Sequence, residues 1–75
     1  MNVTKAVEKL LAYHIARLKD KNRDIRLRSI EELQHLGDAD ALPTLQELFK
    51  TDPDPEVRKA AQEAGRAIFL KNNAK

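Results

Sequence analysis

The residue types that do chemistry are scarce in this chain, and their spacing suits none of the common reactions. His14 and His35 are the only histidines, 21 residues apart, and there is no cysteine. No His-x-x-x-His pair begins a zinc site. No metal is therefore expected; His14 is expected where helices pack and His35 in solvent. Glu31 and Glu32 are adjacent, a spacing that implies neither a desolvated pocket nor a paired acid for proton transfer. The two glycines lie far apart, so no loop cradles a phosphate. The expectation is a non-catalytic chain without cofactors.

One cluster does suggest a ligand. Arg17, Lys19, Lys21, Arg23, Arg26 and Arg28 place six cations within twelve residues, a density able to track a phosphate backbone. Asp20 and Asp24 interrupt the run, and no aromatic residue is interleaved for a base to stack on. Nucleic acid binding through Arg17, Lys19, Lys21, Arg23 and Arg28 is therefore the alternative reading rather than the leading one.

The elements that position these side chains follow from composition and period. A chain of 75 residues, 41% hydrophobic and 35% charged with two Gly and three Pro, reads as one soluble helical domain over residues 1–75. That length is near the lower limit for a core without disulfide or metal staples. No apolar run is long enough to cross a bilayer, and no apolar signal core follows the first five residues. No membrane contact and a cytoplasmic location are expected. The net charge of +2 is unevenly spread: residues 1–28 carry +5, residues 29–56 carry −7 and residues 57–75 carry +4. An ordinary solvated surface is the plainer account of that alternation.

Apolar positions at 7, 10/11, 14/15 and 18 recur at helical spacing and predict a first helix over residues 4–19, capped by Asn2 or Thr4. Asn22 suits the N-cap of a second helix over 23–36, with a buried stripe of Ile25, Ser29, Leu33 and Leu36 and with Ile30 flanking it. Gly37 then fits the left-handed position that ends it. A third helix starts within 38–41 and runs to about residue 50, with Pro43 harmless in its first turn. A fourth covers 55–70, with Asp54 as cap and Pro55 as its first residue, leaving 71–75 as a frayed tail. Ala60, Ala61, Ala64 and Gly65 give it a small-residue face. A helix-interior glycine costs about 1 kcal/mol against alanine, which a close approach to the second helix would offset.

The chain also repeats itself. At an offset of 32, Asp20 matches Asp52, Asn22 matches Asp54, Asp24 matches Glu56, Ile25-Arg26 matches Val57-Arg58, and Ser29 matches Ala61. The first and third helices align at an offset of 31, Leu11 with Leu42, His14 with Leu45 and Leu18 with Phe49. Ser29, opposite Ala61, thus reads as a small residue where helices touch rather than as a nucleophile. Two helical hairpins result, repeat one at about 4–37 and repeat two at about 38–70, neither able to bury both its faces alone.

The stretches Leu18-Lys19-Asp20 with Ile25-Arg26, Leu36 to Leu45, and Leu48 to Arg58 resemble the HEAT repeat, in particular the short bacterial kind of phycobilisome-lyase-like proteins. The resemblance covers residues 5–70 and implies an all-α fold, an α-solenoid fragment of four helices. It also implies that Asp20, Arg26, Asp52 and Arg58 form a ladder linking loops and inner helices, since the Asp-to-Arg spacing of six occurs in both copies. By the same resemblance the expected function is a scaffold or adaptor for a protein partner, with a phycobiliprotein-type one conceivable. The expected contacts are the exposed inner-helix positions Arg28, Glu31, Glu32, His35, Lys59, Gln62, Glu63 and Arg66. Two repeats are fewer than such arrays normally stack, so weak self-association or docking through an apolar end face is a further expectation. The end residues concerned are Val7, Leu10, Leu11, Ile15 and Leu18 at one end and Ile68, Phe69 and Leu70 at the other.

Overall fold

Each helix is bounded by a local signal. In the computed structural model, which describes residues 3–74, the helices are α1 (Val3–Arg17), α2 (Arg23–Leu36), α3 (Leu42–Thr51) and α4 (Pro55–Asn73). No strand occurs among the described residues. The Asn22 side chain caps α2 by accepting the Asp24 N–H at 2.8 Å. Gly37 ends that helix at φ 66°, a left-handed conformation that strains a residue with a Cβ. Asp54 caps α4, accepting N–H bonds from Glu56 at 2.8 Å and Val57 at 3.3 Å.

Some boundaries differ from expectation. α1 stops at Arg17, and the N–H groups of Leu18, Lys19 and Asp20 bond three residues back as the chain tightens into the turn. Thr4 lies inside α1 instead of capping it, and Asn2 falls outside the described residues. Asp38 caps a single 3-10 turn, Ala39–Ala41, before α3 begins with Pro43 in its first turn. α4 does not fray after residue 70. Its last turn is tied to the end of α2 by Asn72, whose Nδ2 donates to Gly37 O at 3.0 Å and to Ile68 O at 2.8 Å.

α1 pairs with α2, α3 pairs with α4, and α2 lies against α4. The molecule is a slab of 39 × 28 × 15 Å, the shortest extent being about two helix layers. One apolar core runs through it, anchored by Leu18, Leu33, Leu45, Val57, Ala64 and Ile68. Burial follows the predicted stripes on the sides where the hairpins meet. On the outward sides it fails: Leu10 is 46% exposed, Phe49 39% and Phe69 54%. The fold is an all-α solenoid fragment of two helical hairpins.

Gly65 is not where a close approach to α2 was expected. Ala60 shares the α2–α4 seam with Leu27 and Ile30, whereas Gly65 turns toward α3, and a Cβ built on it meets nothing within 4 Å. Nothing within the described chain requires a glycine there. Gly65→Ala should therefore stabilise the fold by about 1 kcal/mol, read as a rise in Tm of roughly 4–8 °C.

Candidate functional site

The loop before each inner helix is built on one plan. The Asp20 carboxylate accepts the N–H of Asn22 at 2.9 Å, and the Asp52 carboxylate accepts that of Asp54 at 2.9 Å. Six residues on, Arg26 Nη1 donates to Asp20 O at 2.9 Å, and Arg58 Nη1 donates to Asp52 O at 2.7 Å. Between the hairpins, Arg26 also grips the Asp52 carboxylate with both edges of its fork, Nε at 2.8 Å and Nη2 at 3.1 Å. The two side chains are only 11% and 3% exposed. Asp20, Arg26, Asp52 and Arg58 thus stand in one line of hydrogen bonds, and the Arg26–Asp52 pair crosses from one hairpin to the other. These bonds tie each loop to its own inner helix and one hairpin to the other.

Arg23 makes a second crossing, with Nε on Asp54 at 2.6 Å and Nη2 on Glu56 at 2.9 Å. The bond from Arg23, helped by the N–H groups of Glu56 and Val57, holds the Asp54 carboxyl below the usual carboxylate range; partial burial opposes this. The same contacts push the Arg23 guanidinium up. Because the folded Asp54 binds its proton less tightly than the unfolded one, its contribution is present above the ordinary aspartate pKa of about 3.9. It is lost as pH falls through the lower folded value. Asp54→Asn keeps a capping side chain but removes that carboxylate. Thermal melts between about pH 5 and pH 2 should fall less steeply for Asp54→Asn than for the native chain.

These pairings break up the basic run. Arg23 and Arg26 are bound to carboxylates, and the Arg17 guanidinium sits over the Tyr13 ring at 5.3 Å. Lys19, Lys21 and Arg28 remain exposed. His14 is half-buried with its Nδ1 buried and without a partner, its ring edge-on to Tyr13 at 5.1 Å. His35 is exposed, and Ser29 is buried at the helix contact. Glu32 and His35 do stand three apart on α2. Even so, no group of three or more metal-ligating side chains exists among the described residues.

The predicted contact residues lie on α2 and α4, with Arg28, Glu31, His35, Lys59, Gln62, Glu63 and Arg66 exposed and Glu32 half-buried. The structure brings Glu31 and Glu63 together across the seam, with Gln34, around an apolar floor of Leu27, Ile30 and Ala60. The depression measures about 240 Å³. Sequence reasoning did not assign Leu27, Gln34 or Ala60 to this surface. The equivalence of Glu31 and Glu63 at offset 32 was the signal available.

A second, more apolar groove of about 290 Å³ lies between α3 and α4, lined by Leu42, Leu45, Phe49, Gly65 and Phe69 with Gln46, Gln62 and Arg66 at its edges and Ala61 at its base. Among the described residues no helix is long and apolar enough to cross a membrane.

Comparison with family models finds one match, to HEAT repeats, over residues 4–66. No curated protein and no solved structure matches the chain. The narrower phycobilisome-lyase-like class rests on the residues quoted above alone. With two capped hairpins stacked through α2 and α4 and a family match across most of its length, the chain belongs to the HEAT repeats family.

Proposed function

We propose that the chain is a non-catalytic protein-binding module whose contact surface is the joined face of α2 and α4. HEAT repeats are commonly protein-interaction scaffolds. The observation that carries the reading here is the seam itself: an apolar floor of Leu27, Ile30 and Ala60 rimmed by Glu31, Gln34 and Glu63. An apolar centre within a polar rim is the common anatomy of a protein interface.

The test is partner capture by the tagged chain at low and raised salt. The module should retain its partner at raised salt, and Glu31→Lys with Glu63→Lys should release it without lowering Tm by more than a few degrees. Capture that collapses with salt, and that Lys21→Glu with Arg28→Glu abolishes instead, would assign the chain to nucleic acid.

A further inference from the structure

We infer that the groove between α3 and α4 is a second docking site, which takes an acidic amphipathic helix of a partner protein; this rests on reading the chain as a protein-binding module. The internal repeat supplies the argument. Phe49 and Gly65 of the groove are the equivalents of Leu18 and Leu33, which are 1% and 0% exposed with the second hairpin stacked on the first. In the second hairpin the same side has no cover: Phe49 is 39% exposed, and a Cβ on Gly65 meets nothing within 4 Å. The glycine that gains nothing within the chain leaves room for an approaching helix.

The charges around the groove select its occupant. Arg66 is its only charged lining residue. Arg58 stands on the same helical row as Ala61, Gly65 and Phe69, at i, i+3, i+7 and i+11. Arg26 uses Nε and Nη2 to hold the Asp52 carboxylate. On Arg58 only Nη1 is engaged, with Asp52 O, so its Nε and Nη2 have no partner among the described residues. An incoming helix preceded by a carboxylate would satisfy that fork bidentately, the strong geometry for an arginine. A second copy fits poorly. Stacked head to tail, it would bring Arg28 and Glu32 where α4 brings Ala60 and the fully buried Ala64, taking two charged side chains out of water, which is costly even when they pair. Stacked groove to groove, it would set Arg66 against Arg66.

The probe is a synthetic peptide of residues 51–70 of this chain carrying Lys59→Glu and Arg66→Glu. It keeps Asp52, Ala60, Ala64 and Ile68, the surface that already covers the first hairpin, and is acidic where the groove is basic. Titrated into the isotope-labelled full chain, it should give saturable amide shifts at Gln46, Phe49 and Gly65. Arg58→Ala should weaken binding about tenfold. Gly65→Leu should weaken it at least as much, and Gly65→Ala, which the helix favours, by less. Four results would each overturn the proposal: no saturable shift by about 1 mM peptide, shifts confined to α2, equal affinity for the unsubstituted, less acidic peptide, or concentration-dependent shifts at Phe49 without peptide. The α2–α4 reading is tested separately, through Glu31→Lys with Glu63→Lys, and none of these results decides it.

Discussion

Arg26→Met is expected to lower stability by roughly 3 kcal/mol, the usual consequence of leaving one member of a buried ion pair without its partner. Asp52 would keep the Asp54 N–H, but its carboxylate, 3% exposed, would lose both bonds from the guanidinium. The carbonyls of Asp20 and Lys21, which also accept from Arg26, would turn to water. In a chain of this size, where total stability is on the order of 4–11 kcal/mol, such a loss should lower Tm by roughly 12–24 °C. Removing the charge on both sides, Arg26→Met with Asp52→Leu, should be less damaging than the sum of the single changes. Chemical denaturation of the four species of that cycle measures the coupling. If Arg26→Met melts within a few degrees of the native chain, the hairpins are not joined through this pair.

Leu33→Ala should cost about 3 kcal/mol, from lost burial plus the cavity left behind. Leu33 is 0% exposed at the centre of the core between the hairpins. The contrast is Leu10, 46% exposed on α1, where alanine should change stability by less than about 1 kcal/mol. Denaturant midpoints for the two variants would check both. Equal losses at Leu10 and Leu33 would mean that α1 is covered more deeply than its exposure indicates.

The caps and the repeat were legible because they depend on neighbours in the chain. Asn22, Gly37, Asp54 and Pro55 act within a few residues of themselves, so their types alone marked where α2 and α4 begin and α2 ends. The contact of Arg26 with Asp52 across the hairpins was expected only from the resemblance to HEAT repeats, on the six-residue Asp-to-Arg spacing that both copies share. Arg23 had no such guide: its counterpart at offset 32 is Pro55, so its bonds to Asp54 and Glu56 have no second example in the chain. The extra turn of α4 depends on Asn72 meeting Gly37 O, a contact between residues 35 apart with no periodic signature. Gly65 was placed on the small-residue face, but that face covers more than one side of α4. Only packing separates Ala60, at the α2 seam, from Gly65, at the α3 groove.

The proposed α2–α4 surface has its own signature, set by geometry rather than by charge alone. Glu31 and Glu63 are equivalent residues on adjacent helices, so stacking the repeats places them on one seam. The basic turn lacks that continuity, because Arg23 and Arg26 are drawn into carboxylate pairs. The most direct measurement is an amide-shift map of the isotope-labelled chain with its captured partner added at raised salt. The account predicts shifts concentrated at Glu31, Gln34, His35, Lys59 and Glu63. Shifts confined to α1 and to the turn over residues 18–22, with the α2–α4 face unmoved, would contradict it.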